Sequence, residues 1–110
     1  MGQFVKGDVV VVPFPFSDLS QAKRRPALVV AELSGEDLIL CLITSRWIQD
    51  EYAVSLQDKD FSKGKLPKNS YIRPNRLFTS HQKLILSVAG SINQQKLAEV
   101  EQKLIHIFTT

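Results

Sequence analysis

Three short groups of residues carry the side-chain types that handle phosphate. Lys23, Arg24 and Arg25 stand in a row before Pro26. A guanidinium is always charged, and its planar fork of donors matches the oxygens of a phosphate. A proline pushes the preceding residue out of helical geometry into extended geometry. Arg25 is therefore expected at the mouth of a strand, on a stiff hinge. Thr44, Ser45 and Arg46 place three polar side chains in succession where an apolar run ends. Arg73 again precedes a proline, Pro74, and Arg76 and His81 follow. A hydroxyl and two guanidiniums converging on one phosphate would stabilise charge developing on it. Histidine is the side-chain type best suited to pass protons, which makes His81 a candidate for that role.

Each group taken alone also has an ordinary reading. Basic residues are common in solvated loops, polar residues end strands, and lone histidines sit on surfaces. Trp47 and Tyr52 read equally well as base-stacking or as core, and His106 as structural or exposed.

The elements that must position these residues are mostly strands. Residues 9–12 are β-branched throughout, which favours a strand buried on both faces. Pro13 and Pro15 deny ladder donors and are expected to end or bend it. Residues 17–23 read as a polar loop able to act as a lid. Residues 27–32 and 38–44 read as a hairpin across the turn Ser34-Gly35-Glu36. If that hairpin is tight, its far ends are neighbours, and Arg25 lies beside Thr44. A fourth strand is expected near 52–56 and a lysine-rich loop with one helical turn over 58–69. Short strands are expected at 71–73 and 76–79, broken by Pro74-Asn75, with 84–88 a weaker candidate. Ser91 with Gln94 three residues on fits a capping box. The helix it opens would bury Leu97, Val100, Leu104, Ile107 and Phe108, with Lys96, Glu99 and Lys103 facing water. The fold class is mainly β with some α, and 110 residues make one domain spanning 1–110.

Composition narrows the function. The chain is 44% hydrophobic and 23% charged, as ordinary globular proteins are. A net charge of +3 and a pI near 9.2 permit a polyanionic partner without demanding one. Cys41, the only cysteine, lies in an apolar run and reads as core, so no disulfide framework or cysteine-based metal site forms within one chain. No cofactor or metal is expected: there is no glycine-rich nucleotide loop, no GxSxG and no HExxH. No signal peptide or run of about 20 apolar residues is seen, which points to the cytoplasm.

The stretch GDVVVVPFPFSDLSQAKRRPALVV, then LCLITSR, then SYIRPNRLFTSHQKL, then a glycine and a C-terminal helix resemble the MazF/PemK family of type II toxin–antitoxin systems. The resemblance covers nearly the whole chain in order. It implies a small SH3-like, CcdB-like β-barrel with a C-terminal helix, working as a homodimer. It implies a metal-independent endoribonuclease that cuts single-stranded mRNA within short sequences, inhibits growth, and is neutralised by a cognate antitoxin, with DNA binding by the toxin–antitoxin complex. In that family the RNA 2′-hydroxyl attacks the adjacent phosphate and leaves a cyclic phosphate. Carried over, the arginine before proline is Arg25, stabilising or protonating at the scissile phosphate, and the strand-end threonine is Thr44, hydrogen-bonding it. Lys23, Arg24, Pro26, Ser45, Arg46, Arg73, Arg76 and His81 would line an RNA groove. An arginine is a poor general base because it keeps its proton, so the acceptor of the 2′-hydroxyl proton is open, with His81 a candidate. Two other readings of the same barrel stand beside this one: a CcdB-like toxin that binds DNA gyrase, and an RNA-binding module without catalysis.

Overall fold

The computed structural model describes residues 3–14 and 23–110 of the chain. Seven strands form one antiparallel sheet: β1 (Asp8–Phe14), β2 (Lys23–Glu32), β3 (Asp37–Thr44), β4 (Val54–Leu56), β5 (Phe61–Gly64), β6 (Ser70–His81) and β7 (Ser87–Ile92). Their order across the sheet is β4-β6-β3-β2-β1-β7-β5. Among the described residues one α-helix, α1 (Gln94–Thr109), follows β7. The two edge strands, β4 and β5, are joined only by residues 57–60, which include a 3-10 turn at Asp58–Asp60. So short a link between opposite edges forces the sheet to curl, giving the barrel-like shape expected from the sequence.

The central strands are buried on both faces, which explains their unbroken apolar runs. Side chains alternate across a strand. Val9, Leu28, Val30, Cys41 and Ile43 fall on the face that also meets Ile72, Ile92 and Val100 of α1. Val10, Val12, Ala27, Val29, Leu38 and Leu40 fall on the other, with Phe4, Phe78 and Ile85 against them.

Several boundaries differ from expectation, each for a physical reason. β1 continues through Pro13 to Phe14, because its pairing with β7 stops at Val11. Beyond that point a missing N–H on that side costs no ladder bond. β2 begins at Lys23 rather than at Ala27, and pairs with β1 from there on. The rest of the loop expected at 17–23, and Pro15, lie outside the described residues. Pro74 and Asn75 do not break β6 in two. Leu42 pairs with Arg73 and its neighbour Cys41 with Leu77, so Pro74, Asn75 and Arg76 form a bulge in one continuous strand.

β5 occupies part of the expected loop and crosses β7 very closely. A Cβ on Gly64 would collide with the Ala89 carbonyl, and one on Gly90 with the Lys63 carbonyl. The weak candidate at 84–88 divides into a 3-10 turn at Gln82–Leu84 and the start of β7. Ser91 does not cap the helix. It lies in β7, and its hydroxyl donates to Asp8 Oδ1 at 2.8 Å. The cap is Asn93, whose Oδ1 accepts from the Lys96 N–H at 2.8 Å. Lys96, expected to face water, is buried: its ammonium lies 3.1 Å from Glu99 and 3.7 Å from the buried Asp60. At the other end of α1, Phe108 is 70% exposed, so the apolar stripe outruns the core of a single chain.

Candidate functional site

Pro26 shapes the site. The ladder between β2 and β3 stops at Ala27 and Leu42. Pro26 has no N–H with which to continue it toward β3. The strands run on unpaired, with Arg25 and Thr44 as near neighbours across the gap. Arg25 shares a face with Val12, its partner on β1, and Thr44 shares one with Tyr71 on β6.

The gap opens into two grooves that share Arg25, Ile43, Thr44 and Ser45. The smaller, about 250 Å³, adds Arg24, Pro26, Leu66, Pro67, Lys68 and Ser70. The larger, about 450 Å³, adds Phe14, Leu42, Arg46, Ile48 and Arg73. Strand alternation explains the division. Arg24 and Pro26 point to one side of β2 and Arg25 to the other, while Leu42 and Arg73 are cross-strand partners on one face. Among the described residues the linings hold five cationic side chains and no carboxylate or imidazole.

Local hydrogen bonds set what each group can offer. The Thr44 hydroxyl accepts from the Arg46 N–H at 3.1 Å. Its own proton has no acceptor among the described residues and can be donated to a ligand. Arg25 is exposed at the mouth of β2, so its fork is open to a ligand.

Arg73 is committed elsewhere. It donates to Asp50 Oδ2 at 3.1 Å, and its Nε is buried without a hydrogen bond among the described residues. Asp50 also accepts from the Tyr52 N–H at 2.9 Å, and its carbonyl accepts from the Ala53 N–H. The Tyr52 N–H and then Arg73 and Asn75 hold the Asp50 carboxyl below the usual carboxylate range, against burial, which pushes it up. Arg73 thus pins the loop after β3, which carries Arg46 and Ile48 into the larger groove.

The structure gathers Arg24, Arg25, Pro26, Thr44, Ser45, Arg46 and Arg73 around these grooves. Lys23 is exposed one step away at the start of β2. Arg76 is exposed on the bulge and lines neither groove. His81 is at the opposite end of the sheet. It pairs with Asp37 at the start of β3, whereas Thr44 ends that strand. Seven residues of strand separate the two ends by roughly 20 Å. His81 instead accepts from the Lys83 N–H through Nδ1 at 3.0 Å and faces Glu36 at 3.7 Å. Within one chain it does not reach a phosphate held at Arg25. Sequence reading missed Leu66, Pro67, Lys68 and Ser70, because they sit in a polar segment with no periodicity. The apolar pair Leu66-Pro67 amid lysines was the available signal.

Among the described residues, no three His, Cys, Asp or Glu side chains are grouped to hold a metal ion. No helix there is long and apolar enough to cross a membrane.

The sequence profile of the PemK-like, MazF-like toxins of type II toxin–antitoxin systems matches residues 5–108. The chain belongs to that family. No curated protein matches this PemK-like chain significantly by sequence. Solved structures share its fold. An endoribonuclease in complex with its cognate antitoxin from a mycobacterial species superposes with a TM-score of 0.76 at 13% identity, over 96% of this chain and 94% of that one. MazF from Deinococcus radiodurans gives 0.73 at 21% identity, over 96% of each chain. The Mycobacterium tuberculosis toxin MazF-mt6 gives 0.70 at 12% identity, over 92% of this chain and 95% of that one. At these identities the likeness speaks for the PemK-like fold, a curled β sheet with a C-terminal helix.

Proposed function

We propose that this toxin is a metal-independent endoribonuclease that cuts single-stranded mRNA within short sequences. The observation that carries the reading is the Arg25–Thr44 pair at the junction of two cationic grooves. A single RNA strand lies along the grooves with its scissile phosphate at the junction. The 2′-oxygen attacks phosphorus, forming one P–O bond as the bond to the 5′-oxygen breaks. The products are a 2′,3′-cyclic phosphate and a 5′-oxygen that takes a proton from water to become a 5′-hydroxyl. Arg25 neutralises charge building on the non-bridging oxygens, and the free Thr44 proton donates to one of them. The guanidinium keeps its own proton. The proton of the 2′-hydroxyl therefore leaves to water or to a group outside the described lining.

Lys23, Arg24 and Arg46 hold the backbone electrostatically, so affinity falls with salt. Unpaired bases are accessible for reading, whereas a duplex hides them. The toxin acts in the cytoplasm as a homodimer, which doubles the groove charge and carries one strand across its two-fold axis. Exposed Leu84, Leu86 and Val88, and Ile105 and Phe108 on α1, offer apolar surface for that pairing. An acidic antitoxin segment occupying the same groove would exclude RNA.

The test is incubation of the protein with a long single-stranded RNA in EDTA, followed by sequencing of the ends. Discrete cuts with cyclic phosphate ends are expected. Arg25→Ala should lower the rate by about 10²–10³-fold and Thr44→Val by at least about tenfold, both on folded protein. Intact RNA beside a folded wild-type protein would overturn the reading and shift it to a gyrase-directed or RNA-binding role.

A further inference from the structure

The smaller groove differs in kind from the larger one. Its walls are apolar, formed by Pro26, Pro67 and the buried Leu66. The charged groups it adds to the shared Arg25 are Arg24 and Lys68, and all three are donors without any acceptor. Besides the shared Thr44 and Ser45 at the junction, the groove carries one buried hydroxyl of its own, Ser70, which is 4% exposed. The Ser70 proton is spent on the Lys68 carbonyl at 2.9 Å. What Ser70 offers a ligand is therefore its oxygen, as an acceptor. The volume of about 250 Å³ falls just below the roughly 300 Å³ at which pockets begin to enclose drug-sized ligands. It suits one flat ring rather than a stack.

We propose that this groove is a base subsite beside the scissile phosphate, selecting guanine or uracil, with Lys68 as its specificity-determining residue. The inference rests on the RNA-cleaving reading above and names what that site prefers. A keto base carries a carbonyl oxygen next to a ring N–H. The carbonyl oxygen matches the donors of Lys68 and Arg24, and the ring N–H matches the accepting oxygen of Ser70. Lysine and arginine commonly donate to the guanine O6 carbonyl. Adenine and cytosine present the reverse pattern, an amino donor next to a ring nitrogen acceptor. They would set donor against donor and leave the buried Ser70 oxygen unmatched, which is costly. The prolines and Leu66 take the face of the ring. Because the groove adjoins Arg25 and Thr44, the base read is one that directly flanks the cut.

The probe is a set of short RNAs, each identical except for the base on one side of a single 2′-deoxy position that blocks attack. Fluorescence anisotropy reads their affinity for wild type, Lys68→Met and Lys65→Met. Methionine keeps the apolar stem and removes the donors, and the exposed Lys65, outside the groove, controls for lost charge. Wild type and Lys65→Met should favour a keto base at one flank by about tenfold, and Lys68→Met should lose most of that ratio. Equal affinity for all four bases at both flanks would overturn the proposal. So would a Lys68→Met variant that weakens every RNA alike, since that marks a phosphate contact. If the protein discriminates bases here yet leaves the all-ribose RNAs uncut, the base subsite stands and the nuclease reading falls.

Discussion

Arg73 and Arg25 both precede a proline, yet the fold uses them differently. Arg25 lies where its strand has lost a neighbour, and its guanidinium is exposed, with no hydrogen bond or ion pair among the described residues. Arg73 lies where β6 still pairs with β3, and it turns to Asp50. Sequence order alone cannot separate these cases, because Asp50 is 23 residues away. The pair has a pH signature. The Asp50 carboxyl is held below its ordinary value of 3.8. Its stabilising contribution is therefore present above that value and lost as pH falls through the lowered one. Asp50→Asn should destabilise the protein by about 2 kcal/mol at neutral pH. The gap between variant and wild type in urea melts should shrink below about pH 4. A gap that stays constant down to pH 2 would contradict the ion-pair account.

Strands and helix were legible to different depths. The β2–β3 hairpin and α1 follow from local pattern: two apolar runs around a glycine turn, and apolar residues at helical spacing. The bulge at Pro74, the strand β5 and the burial of Lys96 do not, because each depends on a partner far along the chain. A strand such as Phe61–Gly64, mostly exposed and on an edge, leaves no hydrophobic period to find. Its determinant is two glycines in contact with opposing backbone. Gly64→Ala meets a carbonyl and also requires φ of +73°, and should cost about 3 kcal/mol. Gly35→Ala, at φ +85° with open space around it, should cost about 1–2 kcal/mol. Thermal melts of the two variants measure the difference. The grooves were half legible. The Arg25–Thr44 neighbourhood follows from hairpin register, whereas Lys68 and Ser70 reach it only through the curl of the whole sheet. The same register shows why His81 stands apart, at the opposite end of the β3–β6 pair.

The barrel as a whole isolates its one thiol. Cys41 is fully buried, and burial pushes its pKa up to about 12. The thiolate is the reactive form, so the folded protein should resist alkylation at pH 8. Labelling should appear only when the core opens, and its rate under native conditions should follow global stability. Destabilising substitutions such as Gly64→Ala should accelerate it, and rapid labelling of the folded wild type would contradict the burial.

The strand order has a consequence for the toxin while it is being made. β1 lies between β2 and β7, and Val100 of α1 is wholly buried in the same core as Val9. The first strand to leave the ribosome must wait for the last strand and the helix before its apolar faces are covered. Domains assemble as units once their long-range partners are available. Arg25 and Thr44 are translated early, but the sheet that holds them together is incomplete until β7 and α1 emerge. The junction of the grooves is thus completed by elements made well after its own residues, which ties the proposed site to the folding of the whole sheet.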